Sequence, residues 1–300
     1  MVMKGKFRRG LRHHLGIYLF LLPAVGFFLV FSVYPILYSF VMSFTNWPLV
    51  GSPHFVGLHN YSQVLHDPVV GTSLVNAIFY LIVSVPIQIV LGLLVAMGLD
   101  RPMRGRGALR LMYYLPVITS WVVVTLLFEY LFNTDYGIIN WLLMSLHLSR
   151  SAVPWLANRY SALTVAAILG GWKGIGWAMM IFLAGLQGVP DELYESAAID
   201  GAGKWKQFWS VTLPMIRGTF FFVTVMLMMG AFQVFISVFI LTGGQPANET
   251  QVPLVWMYQQ AFSNLEFGYA AAFSWVITAI IVVFTVIQFW VFRPRSVQEV

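Results

Sequence analysis

The sequence predicts an all-α membrane protein with six transmembrane helices and both termini in the cytoplasm. Of its 300 residues, 59% are hydrophobic and 9% are charged, whereas a water-soluble domain carries about 25% charged residues. Six apolar stretches are each long enough for the roughly 20 residues that a membrane-spanning helix needs. Lys and Arg cluster in alternate connecting segments, which is the pattern that sets topology. A soluble enzyme is therefore excluded.

The six stretches mix Leu, Val, Ile and Phe with Gly, Ala and aromatic residues. They lack the period-2 alternation of barrel strands, so helices are favoured. The first stretch follows a basic tail, as a signal peptide does, but its apolar run is far longer than a signal core and no small-residue cleavage site follows it. It is therefore predicted to be an uncleaved span. The predicted spans cover residues 15–45, 74–99, 109–132, 161–186, 216–242 and 269–292.

The basic residues predict the orientation of these spans. Fourteen of the 17 Lys and Arg residues lie in the N-terminal tail, in the second and fourth connecting segments with their flanks, and in the C-terminal tail. Because cytoplasmic segments carry this excess, both termini are placed in the cytoplasm. Arg150 and Arg159 fall on the opposite side, and Lys173 lies inside the fourth span. The high pI of about 9.6 is thus a signal of topology, and no nucleic acid is expected as a partner.

The same reading divides the chain into regions. Residues 1–14 form a basic cytoplasmic tail, 15–73 the first helix and an outside loop, 74–292 a five-helix core with a cytoplasmic loop at 188–214, and 293–300 a cytoplasmic tail. Two outside segments, 137–148 and 251–263, are predicted to form short amphipathic helices in the membrane interface. They either cap the bundle or meet an external partner. The chain has no cysteine, and its six histidines lack metal-ligand spacing, so no metal site is predicted.

The cytoplasmic segment 188–214 has the most unusual sequence. Pro190, Asp191 and Glu192 are typical of a helix start, and Asp200-Gly201 is a turn dipeptide. A second short helix is expected from about residue 204 to 210. The small residues 196–198 would let another backbone approach closely. The segment is therefore either a docking element or a long loop packed on the bundle.

The spacing within this segment resembles the EAA signature of ABC-importer permeases. That signature is Glu-Ala-Ala, three residues, Gly, nine residues, Ile, one residue and Leu-Pro. This chain has Glu195-Ser196-Ala197, then Gly201, then Val211-Thr212-Leu213-Pro214 at the same intervals. Ser replaces the first Ala and Val replaces Ile. The chain resembles the carbohydrate-uptake branch of these permeases in particular, at residues 172–174, 194–203, 241–246 and 258–268. The resemblance covers nearly the whole chain.

The resemblance implies a division of labour among subunits in a bacterial or archaeal inner membrane. This chain and a second, different permease chain would form the pathway. A dimer of ATPase subunits would bind ATP and Mg, so no cofactor and no enzymatic activity are expected in this chain. An extracytoplasmic binding protein would deliver the solute. The positions implied to couple with the ATPase are Glu195, Ser196, Ala197, Asp200, Gly201, Ala202, Leu213 and Pro214.

Three residues inside the spans are candidates for the solute pathway. Charged residues in spans are costly and are treated as functional hypotheses. Trp172 and Lys173 follow two glycines, and an indole can stack on a sugar while an ammonium hydrogen-bonds its hydroxyls. Alternatively, Lys173 pairs with a carbonyl or carboxylate to hold the bundle together, or its side chain snorkels towards the membrane surface. Gln233 is either a pathway residue or a helix–helix hydrogen-bonding group.

The function implied is therefore that of a sugar-importing permease subunit, for an oligosaccharide or sugar derivative. The same importer class for glycerol phosphate, an amino acid or a peptide is the alternative. A secondary transporter normally needs paired carboxylates within its spans, and the predicted spans contain no such pair. A membrane-embedded enzyme would need clusters of catalytic carboxylates or histidines within its spans, and the predicted spans contain none.

Overall fold

A computed structural model describes residues 19–48 and 51–291 of the chain. The predicted tails at 1–14 and 293–300, and the ends of the first and last predicted spans, lie outside the described residues. Within the described ranges, five helices are long and apolar enough to cross a membrane. They are Leu19–Met42, Pro68–Asp100, Arg159–Leu186, Arg217–Leu241 and Phe267–Trp290. The chain is a multi-helix membrane protein, in agreement with five of the predicted spans.

The predicted span 109–132 differs in shape from the others. It is built from two helices, α1 (Arg106–Ile118) and α2 (Trp121–Leu131), which meet at 90°. Pro116 lies in the last turn of α1, and Thr119 is extended, with φ −71° and ψ 150°. Proline has no backbone N–H to donate to the carbonyl of the preceding helical turn, and the chain leaves the helix three residues later. If this bent pair crosses as one span, the described residues contain six.

One compact unit comprises residues 19–48, 51–66 and 260–276. Helix Leu19–Met42 contains a π-helical turn at Leu29–Val33 and buries none of its residues. Strands Thr45–Asn46 and His54–Phe55 pair antiparallel, with Thr45 opposite Phe55, and helix His59–His66 follows. Asn60 donates to the carbonyls of Ser43 and Thr45, at 2.9 and 3.0 Å, which fixes the strand pair against this helix.

The second unit comprises residues 67–259 and 277–291, and its centre is helix α4 (Arg159–Leu186) packed along helix α3 (Pro68–Asp100). Glycine makes this close approach possible, because a Cβ on Gly92 would lie 2.8 Å from the Cβ of Ala178. The buried apolar side chains around this seam include Leu93, Met179 and Phe182. The seam therefore forms a rigid centre on which other helices are placed.

The remaining helices agree with the predicted short elements. The segments 137–148 and 251–263, predicted to be short interfacial helices, contain helices Ile138–Ser145 and Pro253–Phe262. The segment 188–214 contains α5 (Asp191–Ile199) and α6 (Lys204–Gln207). The chain then passes through a π-helical turn, Phe208–Thr212, and a short helix, Leu213–Met215, before α7 (Arg217–Phe232). Three residues, 233–235, separate α7 from helix Ile236–Leu241.

Candidate functional site

The segment 188–214 is a helix–turn–helix whose turn is set by glycine. Pro190 precedes α5, and Asp191 and Glu192 place negative charge in its first turn, where the helix dipole favours it. At its end, Gly201 has φ +76°, and its N–H donates to the carbonyl of Ala198 at 3.0 Å. The N–H of Ala202 donates to the carbonyl of Ala197 at 2.9 Å. These two bonds form a Schellman motif, which requires a left-handed residue at Gly201.

Tyr194 ties the two halves of this element together. Its carbonyl accepts a hydrogen bond from Gln207 Nε2 at 3.3 Å, and its hydroxyl lies 3.1 Å from Thr212 Oγ1. Thr212 is 4% exposed and belongs to the π-helical turn. Helix α5 is thereby fixed to the segment that leads into α7. Tyr194 belongs to the run 194–203, but its role in joining the two halves was not predicted from the sequence.

The coupling residues predicted from the sequence lie on the surface of this element. Glu195, Ser196, Asp200 and Gly201 are exposed, and Ala197 and Ala202 are half-buried. Leu213 and Pro214 lie at the far end of the element, beyond the π-helical turn. Exposed apolar side chains accompany the polar ones, since Ile199 is 87% exposed and Trp205 is 74% exposed. The element therefore presents a mixed surface of the kind found at protein interfaces.

Lys173 is held by backbone carbonyls at the break between α1 and α2. Its Nζ donates to the carbonyls of Pro116 at 2.5 Å, Thr119 at 2.6 Å and Val117 at 3.3 Å. The side chain is 2% exposed. These carbonyls end α1, where the helix dipole and the unpaired acceptors favour a cation. The structure thus contains the carbonyl pairing that the sequence left as one of three interpretations.

Two adjoining cavities lie around this break. The first, of about 240 Å³, is lined by residues of α3, α4 and α7 together with Val117, Trp121 and Lys173. The second, of about 340 Å³, is lined by Gln233 and its neighbours. Tyr80, Trp121 and Gly230 line both. Of the three pathway candidates, Lys173 and Gln233 each line a cavity, whereas Trp172 lines neither and its ring lies 6.0 Å from that of Phe128.

Helix α3 has a polar face that was not predicted from the sequence. Tyr80, Ser84 and Gln88 recur every four residues and line the first cavity, as residues on one helix face do. Gln88 Nε2 donates to Ser84 Oγ at 2.9 Å. Opposite them, Gly170 and Gly174 leave the room that Tyr80 and Gln88 occupy, because a Cβ on either glycine would overlap those side chains. The i, i+4, i+8 spacing of the three polar residues was the available signal.

The described residues contain no cluster of His, Asp and Glu side chains that would hold a metal ion.

Known proteins similar to this chain are transport permeases. A probable ABC transporter permease protein, YurN of Bacillus subtilis, is 35% identical over 92% of this chain and 95% of its own length. The lactose transport system permease protein LacF of Rhizobium radiobacter is 33% identical over 93% of this chain and 94% of its own. The trehalose/maltose transport system permease protein MalF of Thermococcus litoralis is 31% identical over 93% of this chain and 94% of its own.

The fold is also found in a solved structure. A chain of a bacterial ABC transporter involved in the import of the acidic polysaccharide alginate superposes with a TM-score of 0.83. The match covers 97% of this chain and 99% of that one at 21% identity, so it identifies the fold. A family model described as the inner membrane component of binding-protein-dependent transport systems matches residues 73–295. With this match and relatives above 30% identity over nine-tenths of their length, the chain belongs to the family of inner membrane components of binding-protein-dependent transport systems.

Proposed function

We propose that this chain is one of two permease subunits of an ATP-driven importer and that its solute is a sugar. The observation that carries the proposal is the near-full-length similarity to permeases named for lactose and for trehalose/maltose transport. In this proposal an extracytoplasmic binding protein delivers the sugar and the chain crosses the inner membrane six times, with both termini in the cytoplasm. ATP and Mg are bound by a separate ATPase dimer.

The cavity lining supports an uncharged solute. The first cavity is lined by hydroxyl, amide and indole groups, which suit the hydroxyls and C–H faces of a sugar. Among the described residues that line the two cavities, the one charged side chain is Lys173. Its ammonium already donates to three carbonyls, so none of its three N–H groups is left to bind a phosphate group directly. A neutral sugar therefore fits better than glycerol phosphate.

The helix–turn–helix of residues 188–214 supports the proposal that this chain couples to an ATPase. Helix α5 is exposed, is tied to the segment entering α7 through Tyr194, and carries a surface of mixed polarity. A rigid element of this kind can transmit closure of an ATPase dimer to the helices as a rigid-body movement. We place the ATPase contact at Glu195, Ser196, Ala197, Asp200, Gly201 and Ala202.

The experiment is uptake by the complete complex reconstituted in proteoliposomes. Radiolabelled lactose, maltose, trehalose and glycerol 3-phosphate are each supplied with the binding protein, with and without ATP on the ATPase side. We expect uptake of at least one sugar that requires both ATP and the binding protein. Uptake of glycerol 3-phosphate alone would contradict the choice of a sugar. Uptake driven by an ion gradient without ATP would contradict the importer.

A further inference from the structure

The three hydrogen-bond donors of Lys173 are already used at the break between α1 and α2. An ammonium has three N–H groups, and three carbonyls lie within hydrogen-bonding distance, those of Pro116, Val117 and Thr119. The side chain is almost completely buried. No donor is left for the hydroxyl of a solute. Lys173 therefore lines the cavity without being equipped to bind a sugar directly.

Lys173 instead fixes the residue that begins the next helix. Trp121 starts α2, two positions after the Thr119 carbonyl that Lys173 holds. The ammonium lies over the indole ring, 5.1 Å from the ring centroid, which is within the range of a cation–π contact. One side chain thus controls both the end of α1 and the position of the Trp121 ring. The ring remains 39% exposed and lines both cavities.

An indole in this position has the chemistry that binds a sugar ring. The C–H bonds on one face of a pyranose are attracted to the negative face of an aromatic ring. Tyr80 lines the same two cavities and supplies a hydroxyl for hydrogen bonds. A solute in either cavity would therefore lie beside both side chains. Glycerol 3-phosphate has no ring to stack, so a platform of this kind selects for sugars.

We infer that Trp121 is the stacking platform for the transported sugar and that Lys173 is its positioning residue, acting through the helix break and the indole ring. This inference rests on the proposed function, since it assumes a sugar solute. It assigns specificity to a residue in the bend of the third span. It also assigns Lys173 an indirect role.

The test measures sugar transported per ATP hydrolysed in proteoliposomes that contain the complete complex. The probe is whichever of lactose, maltose and trehalose the wild-type complex takes up. We expect Trp121→Leu to lower the transport-to-ATP ratio at least five-fold, with stimulation of ATP hydrolysis by the binding protein retained. Trp121→Phe, which keeps a ring, should restore at least half of the ratio. Trp290→Leu, at an exposed tryptophan that lines neither cavity, is the matched control and should leave the ratio unchanged.

A double-mutant cycle separates the indirect role of Lys173 from a direct one. We expect Lys173→Met to lower the ratio about as much as Trp121→Leu, Lys173→Arg to restore part of it, and the double variant to be no worse than Trp121→Leu alone. Multiplicative losses in the double variant would show that Lys173 contacts the sugar independently, which would overturn its assigned role. If Lys173→Met lowered uptake and ATP hydrolysis together, the loss would reflect misfolding, and the positioning role of Lys173 would again be overturned.

The outcomes for Trp121 are distinct from those of the proposed function. Sugar uptake by the wild type with an unchanged ratio in Trp121→Leu would overturn the platform and leave the sugar importer intact. A wild type that takes up only glycerol 3-phosphate would overturn both.

Discussion

At the scale of single residues, Asn76 organises the end of the second unit at which α4 begins. It is completely buried, and its Nδ2 donates to the carbonyls of Glu249 and Gln251 at 2.8 and 2.6 Å. Its Oδ1 accepts from Arg159 Nε at 2.8 Å. One amide thus joins helix α3, the start of α4 and the loop after residue 241. Backbone φ is positive at four positions of that loop: Gly243, Gly244, Ala247 and Asn248.

We predict that Asn76→Leu loosens this loop. Leucine is similar in size to asparagine but leaves two carbonyls and a guanidinium without their hydrogen-bond partner. Each unsatisfied buried group costs about 1–3 kcal/mol. Amide hydrogen exchange in residues 249–252 should accelerate at least ten-fold, and the unfolding temperature of the purified chain should fall. Asn158→Leu, at an exposed asparagine near the same end of α4, is the control. Equal acceleration in both variants would contradict the role of Asn76.

The role of Asn76 could not be predicted from the sequence, for a physical reason. Its partners are at least 83 residues away along the chain, and local patterns of polarity carry no record of such contacts. The same holds for Lys173. Its position inside a span identified it as unusual, but its partners are carbonyls, which every residue has. Sequence could therefore select Lys173 as a candidate and could not say what it binds.

At the scale of elements, the sequence predicted most helices and missed the bend of the third span. Residues 109–132 are mostly apolar, and proline is tolerated within membrane helices because neighbouring groups satisfy the freed backbone. Pro116 therefore did not predict a break. The neighbouring group is Lys173 of α4, so the 90° bend depends on a tertiary contact. Helix α5, in contrast, was predicted closely, because proline, acidic residues and glycine mark its two ends locally.

The turn after α5 allows a sharp test of the coupling element. Gly201 and Gly203 are two residues apart, and a Cβ on either would meet no atom within 4 Å. They differ in backbone conformation, because Gly201 has φ +76° and Gly203 has φ −69°. Serine is strained in the left-handed region, by about 1–2 kcal/mol, whereas it is favoured at a helix N-cap such as Gly203.

We predict that Gly201→Ser lowers solute-stimulated ATP hydrolysis by the assembled complex at least five-fold, because the Schellman turn opens and α5 is no longer held at its angle. Gly203→Ser should retain more than half of the wild-type rate. Immunoblots of membrane fractions should show both variants inserted to the wild-type level. Full stimulation in Gly201→Ser, or equal loss in the two variants, would argue against the turn as a coupling element.

At the scale of the whole molecule, composition alone was enough to predict a membrane protein of helical spans, and the EAA spacing was enough to identify the family. The two cavities were not predictable, because the residues that line them come from four separate parts of the chain. Tyr80, Trp121 and Gly230 line both cavities. Gly170 and Gly174 are visible in the sequence, but which side chains fill the space beside them depends on the register between α3 and α4.

Orientation in the membrane is a prediction at this scale, and the absence of cysteine from the sequence makes it simple to test. We expect Ser145→Cys, on the outer helix Ile138–Ser145, to react with a membrane-impermeant maleimide in intact spheroplasts. Met103→Cys, in the exposed segment before α1, should react only after permeabilisation. The wild-type chain provides the background without any label. The reverse pattern would invert the topology derived from Lys and Arg.

The bend of the third span also has a consequence for biogenesis. Helices α1 and α2 have 13 and 11 residues, so they extend about 20 and 16 Å, each short of the roughly 30 Å of hydrocarbon. The ribosome completes both before it reaches Lys173. Until that residue emerges, the carbonyls at the bend lack their cation and would be costly to expose to lipid. We therefore expect the translocon to hold this segment until the following helix arrives, so that the two enter the bilayer as a pair.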